Sequence, residues 1–165
     1  MLHTSACAPS EARSHKHGTC RGAARSRRKP GRRVSAGRPE APVMVLVDTS
    51  VWIRFLANRD PIAGQLDALL ASDEVVGHDL VFGELLIGDC GGREGILEAY
   101  AKLPYAQSIP HREVVAMVRA RRLNGRGAGW IDVHLLASAI VGAFSLWTAE
   151  ARFSTIAREL GVEHR

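Results

Sequence analysis

The sequence predicts an α/β domain of three layers, in which a mainly parallel sheet lies between helices. Short apolar segments alternate with segments of helical periodicity over about 120 residues, which is typical of strands joined by crossover helices. The first segment, residues 43–47, reads VMVLV and is apolar without interruption. Such a run is typical of a strand that is buried on both faces of a parallel sheet.

Residues 1–43 differ from the rest in charge. They hold ten basic and two acidic residues, a net charge of +8, so the remainder carries −3 of the chain's +5. With few bulky apolar residues they cannot offset chain entropy, which predicts a disordered basic tail at 1–43 and a folded domain at 44–165. Three interpretations of the tail stay open: translated sequence upstream of a domain start at Met44, a basic arm that contacts RNA, or a transit peptide.

Composition excludes several classes of protein. The three cysteines, Cys7, Cys20 and Cys90, have no metal-like spacing, and a disulfide framework is not expected. There is no run of about 18 apolar residues, so we expect no membrane span. The tail also lacks the apolar stretch of a secretory signal. These features together predict a cytoplasmic protein.

The first half of the domain is predicted to hold two helices, a strand and a third helix. Ser50 is the expected N-cap of the first helix and Asp79 that of the third, which ends before Gly88. The second helix has apolar residues on one face. The predicted bounds are 50–56 and 61–70 for the first two helices, 75–76 for the strand and 79–87 for the third helix.

The second half is predicted from the same signals. A glycine-rich loop at 124–129 precedes a helix that Asp132 is expected to open. Trp52 and Trp130 lie beside apolar helical positions, so we expect both in the core, although either could stack on a base. The predicted helices are 93–102, 111–123, 132–143 and 151–160, and the predicted strands are 105–109 and 145–147.

Glu84 is an unusual residue, because its helical neighbours at three and four positions are all apolar. An unpaired charge on such a face is costly, and a cation would remove the cost. A glutamate at the helix edge or paired with an arginine explains the pattern as well.

Three further acids take positions where capping and ligand binding are both plausible. Asp48 follows the first strand, Asp132 opens a helix, and Glu150 follows the strand at 145–147. A parallel sheet can bring such acids to one edge. Because clustered carboxylates repel each other, they need a divalent cation to stay ionised together. Oxygen-only ligands favour Mg²⁺ or Mn²⁺, and Mg²⁺ beside phosphate indicates phosphodiester chemistry.

Four segments resemble the motifs of PIN-domain proteins, specifically VapC-type toxins. They are VLVDTSVWI at 45–53, FGELLIG at 82–88, GWIDVHLLAS at 129–138 and LWTAE at 146–150. The resemblance covers about residues 44–165 and leaves out the tail. Asp48, Glu84 and Asp132 match the family's acidic positions. Where the family usually has aspartate the chain has Glu150, whose longer side chain favours a water-mediated role.

The resemblance implies a PIN-like fold, a Mg²⁺ site and endonucleolytic cleavage of single-stranded RNA, commonly in tRNA or ribosomal RNA. It also implies a VapB-type antitoxin partner and a homodimer. Asp48 and Asp132 would then hold the metal, with Glu84 completing the site. A catalytically inactive PIN module that binds RNA or protein is the alternative, and Glu150 is the feature in its favour. A haloacid-dehalogenase-type phosphatase is disfavoured because Ser50 stands where it needs a second aspartate.

Overall fold

A computed structural model of the protein describes residues 43–88 and 94–165. The predicted tail, apart from Val43, lies outside these ranges. The strands are β1 (Val45–Val47), β2 (Val75–Val76) and β3 (Ser145–Trp147). The helices are α1 (Thr49–Leu56), α2 (Ile62–Ala71), α3 (Asp79–Ile87), α4 (Glu94–Tyr100), α5 (His111–Ala120), α6 (Trp130–Gly142) and α7 (Ala151–Glu159).

The sheet has the order β2-β1-β3, and both pairings are parallel. Val45 of the central strand lies opposite Val75 on one side and Ser145 on the other. All three residues of β1 are buried, as the uninterrupted apolar run predicts. The predicted α/β class with a parallel sheet between helices is therefore confirmed. Because the strands are parallel, the residues that follow them lie at one edge of the sheet.

The prediction of a strand at 105–109 is wrong. Only Tyr105 forms a bridge, to Gly77 at the end of β2. Beyond Tyr105, the groups of residues 107 and 108 form hydrogen bonds with side chains and not with a neighbouring strand. The Gln107 carbonyl accepts the Ser138 hydroxyl at 2.9 Å, and the Ser108 hydroxyl donates to Asp79 at 2.9 Å. These side-chain bonds replace the ladder that the sequence predicts.

Two predicted N-caps and one predicted helix start are also wrong. The N-caps are Asp48 in place of Ser50, and His78 in place of Asp79, because the residue leaving each strand keeps an extended backbone and carries the acceptor. The helix predicted to begin at Asp132 begins two residues earlier. Gly129 is the N-cap there, and Asp132 is the third helical residue.

The core surrounds β1 and includes one of the two tryptophans expected there. Trp52 is 2% exposed and packs edge-to-face on Phe55 and Tyr100. Trp130 is 46% exposed, so the prediction that it belongs to the core is wrong. It is the first residue of α6, and its ring packs against those of His111 and His134. Neither described range contains a helix long and apolar enough to cross a bilayer.

His78 is fully buried at the end of β2, and its hydrogen-bond network connects four segments of the chain. Its backbone N–H donates to the Tyr100 hydroxyl at 2.8 Å, and its Nδ1 accepts the Leu80 N–H at 3.1 Å. Since Nδ1 is an acceptor, the proton of the neutral ring is on Nε2, which lies 3.1 Å from the Ser138 hydroxyl. That hydroxyl in turn donates to the Gln107 carbonyl. The network therefore requires neutral His78.

We expect acid to destabilise the fold through His78. Burial lowers the pKa of His78 from its ordinary 6.5, and the charge of His134 lowers it further, against an opposing effect of Asp79. A depressed folded-state pKa gives stability that is full above pH 6.5 and is lost as the pH falls through the folded value. The melting temperature of the wild type should therefore decline between pH 6.5 and 5.

The matched variants are His78→Gln and, as the control, His111→Gln at an exposed position. His78→Gln should melt lower at pH 7.5 and show a shallower decline below pH 6.5. His111→Gln should keep the wild-type slope. Equal slopes in the wild type and His78→Gln would contradict the expectation.

Candidate active site

Asp48 lies at the carboxyl end of β1 and is only 5% exposed. Its Oδ2 accepts three hydrogen bonds: from the Ser50 backbone N–H at 3.3 Å, the Ser50 hydroxyl at 2.5 Å and the Thr148 hydroxyl at 2.8 Å. Among the described residues, none donates to Oδ1. A carboxylate with one saturated oxygen and one free oxygen is held in a fixed orientation and keeps a site for a ligand.

The two hydroxyls that bond Asp48 are themselves fixed by backbone groups. The Ser50 hydroxyl accepts the Ala149 N–H at 3.0 Å, and the Thr148 hydroxyl accepts the Glu150 N–H at 3.1 Å. Each hydroxyl therefore accepts from the loop after β3 and uses its own proton on Asp48. These bonds join the ends of β1 and β3, the two strands that Asp48 and Glu150 follow in the sequence.

Glu84 lies in the middle of α3 and is half-buried between the buried side chains of Val81 and Leu85. The Thr49 hydroxyl donates to Glu84 Oε2 in a short hydrogen bond. Since Thr49 directly follows Asp48, this bond connects α3 to the carboxyl end of β1. Of the helical neighbours on which the prediction rests, Val81 is buried but Ile87 is 88% exposed, and the sequence does not reveal the Thr49 partner.

Asp132 is half-buried in the first turn of α6, where its Oδ2 accepts the Gly129 N–H at 2.7 Å. Burial raises the pKa of Asp132 above its ordinary value, in opposition to the Gly129 hydrogen bond. The negative charges of Asp48, Glu84 and Glu150 raise it further. The structure therefore brings the other three predicted acids within electrostatic range of Asp132, and their charges repel its own.

Glu150 is exposed and is the N-cap residue of α7, without a side-chain capping bond. It lines an open cleft of about 460 Å³ together with Asp132. Arg152 lies in the same cleft but belongs to no motif, so the sequence does not mark it as functional. The cleft places the fourth acid beside the third, on the side of the site that faces solvent.

The donor chemistry of these acids fits a hard divalent cation. Every available ligand atom is a carboxylate or hydroxyl oxygen, and the repulsion acting on Asp132 is what a cation would relieve. Within residues 43–88 and 94–165, however, no three Asp, Glu, His or Cys side chains stand close enough to hold an ion together. Ion binding therefore requires the side chains to move closer.

Known proteins are similar to this chain over most of its length. The family model described as PIN domain matches residues 45–159. Ribonuclease VapC32 from each of two Mycobacterium tuberculosis strains, CDC 1551 / Oshkosh and ATCC 25618 / H37Rv, is 42% identical over 120 residues, which cover 72% of this chain and 94% of the relative. The crystal structure of PAE2754 from Pyrobaculum aerophilum aligns with 74% of this chain and 98% of its own, at 16% identity and a TM-score of 0.45. The chain belongs to the PIN domain family and is of the VapC type.

Proposed function

We propose that this protein is a Mg²⁺-dependent endoribonuclease and the toxin of a type II toxin–antitoxin pair. The observation that supports the proposal most is the group of four acids at the sheet edge, whose mutual repulsion acts on the half-buried Asp132. The relatives at 42% identity are named ribonucleases, which supports the same activity. Manganese is an acceptable substitute for magnesium in an oxygen-only site.

Each residue has a distinct role in the proposed reaction. Asp48 and Asp132 would hold the ion, and Glu84 would complete or tune the site. Ser50 and Thr148 fix the Asp48 carboxylate, and Thr49 fixes Glu84. When bound, Mg²⁺ supplies positive charge against the charge that develops on the phosphate, and it lowers the pKa of water for the attack.

The proposed substrate is single-stranded RNA, with tRNA and ribosomal RNA loops as the natural candidates for a VapC-type enzyme. Arg119, Arg121 and Arg122 are exposed at the end of α5 and can contact the RNA backbone. Arg126, in the loop that follows, is paired with Glu159 at 2.7 Å and contributes less to such a surface. A VapB-type antitoxin and a second copy of the chain are the proposed protein partners.

Purified protein and a labelled single-stranded RNA provide the test. The wild type should cut the RNA in Mg²⁺ or Mn²⁺, and EDTA should abolish cleavage. A catalytically inactive binding module, which Glu150 favours as the alternative, would bind the same RNA without cutting it. Binding without cleavage at any metal concentration would reject the nuclease proposal.

Glu150 gives a prediction of its own, because it is exposed and forms no side-chain hydrogen bond within the described residues. If it acts through water, Glu150→Asp should match or exceed the wild-type rate. Glu150→Ala should lose about tenfold or less, against a far larger loss in Asp48→Ala. The Mg²⁺ concentration for half-maximal cleavage measures the difference. A clear rise in that concentration for Glu150→Asp would show direct ligation through the longer side chain.

A further inference from the structure

Arg152 in the first turn of α7 differs from the other arginines near the site because its guanidinium is unengaged. Arg126 is paired with Glu159, and Arg158 with Glu163, each at 2.7 Å. Arg54 donates from Nη1 to the Ala149 carbonyl at 3.1 Å. The Arg152 guanidinium makes no hydrogen bond or ion pair with any residue of the two described ranges. It is thus available to an external anion.

The Arg152 side chain lies across Gly127 of the glycine-rich loop. A Cβ atom at Gly127 would come within 3.3 Å of Arg152 Cδ and 3.4 Å of its Nη1, and Gly127 has a φ of +84°. Glycine therefore serves two purposes here, since it permits the left-handed backbone and leaves room for the side chain. The two residues line one wall of the cleft that also contains Asp132 and Glu150.

Charge determines what this guanidinium can bind. Four carboxylates lie at the site, and one divalent cation neutralises only two of their charges, so an RNA phosphate would still meet net negative charge. A guanidinium in the same cleft attracts the phosphate and matches its oxygens with parallel N–H donors. Resting on the proposed nuclease function, we propose that Arg152 binds the non-bridging oxygens of an RNA phosphate beside the scissile linkage.

The test uses the full chain and a fluorescein-labelled single-stranded RNA of mixed sequence. In Mg²⁺, Arg152→Gln should raise KM about tenfold with a smaller change in kcat, because one phosphate contact is lost. With Ca²⁺ in place of Mg²⁺, the slope of log Kd against log salt should fall by about 0.7. Arg152→Lys should keep the salt slope and recover part of the KM.

Arg158→Gln is the matched control, since it removes one charge from the same helix at a position paired with Glu163. It should change melting temperature more than KM.

The outcomes separate this inference from the proposed function. Suppose that the wild type cuts RNA and that Arg152→Gln has the same KM and salt slope as Arg158→Gln. The proposal that Arg152 binds an RNA phosphate is then rejected, and the proposed nuclease function is retained. If Arg152→Gln changes only the melting temperature, Arg152 is structural and the inference also fails. If the wild type neither binds nor cuts the RNA, both proposals fail together.

Discussion

Asp132→Asn is expected to lower Mg²⁺-dependent cleavage by about a hundredfold or more, and to raise the melting temperature of the metal-free protein. The loss of activity follows because substitutions around a metal typically cost 10- to 100-fold even when they remove only an indirect contact, and a ligand should cost at least as much. The gain in stability follows because ionised Asp132 is half-buried and repelled by three other acids.

The sign of the stability change depends on the direction of the pKa shift. The pKa of Asp132 is raised in the folded protein, so ionisation of this group disfavours folding at neutral pH. An asparagine removes the charge and can still accept the Gly129 N–H through its amide oxygen. Added Mg²⁺ should raise the melting temperature of the wild type with concentration, and this response should disappear in the variant.

Asp48→Asn is the matched comparison, with a different expected stability. It should abolish cleavage and the Mg²⁺ response as Asp132→Asn does. It should not gain the same stability, because the Ser50 and Thr148 hydroxyls both donate to the Asp48 carboxylate, and an amide oxygen is a weaker acceptor. Near wild-type cleavage by both variants would leave the family relationship to describe the fold alone.

The strands and helices were predictable where a local pattern determines them. The apolar run at 43–47 predicts a buried strand because burial on both faces permits few polar residues, and Val45–Val47 is the central strand. Two N-caps lie one or two residues before the predicted ones, because the cap depends on which side chain reaches a free N–H, and α6 begins two residues before its predicted start. His78 could have been recognised as a candidate cap from its place between a strand and a helix, but its Ser138 and Tyr100 partners are 60 and 22 residues away.

In the candidate site, too, some residues were predictable from the sequence and others were not. The acids were predictable because a carboxylate among apolar neighbours, or directly after a buried strand, can be recognised from the sequence alone. Arg152 was not, because its place in the cleft with Asp132 and Gly127 depends on residues that are distant in the sequence. Exposure is equally non-local: Trp52 and Trp130 both have apolar sequence neighbours, yet Trp52 is 2% exposed and Trp130 is 46% exposed.

Glu84→Gln tests whether the third acid acts through its charge. The Thr49 hydroxyl donates to Glu84, and a glutamine oxygen can accept the same proton, so the variant should fold and melt at or slightly above the wild-type temperature without metal. Its cleavage should nevertheless fall by about tenfold to a hundredfold, with a higher Mg²⁺ requirement.

Thr49→Val is the control for Glu84, because it removes the donor and keeps the carboxylate charge. If the charge of Glu84 matters more than its hydrogen bond to Thr49, Thr49→Val should lose less activity than Glu84→Gln. Its Mg²⁺ requirement should also stay nearer that of the wild type. Rates measured across Mg²⁺ concentrations, with melting temperatures for each protein, distinguish the two. Full activity in Glu84→Gln together with a loss in Thr49→Val would reduce Glu84 to a structural contact between α3 and the end of β1.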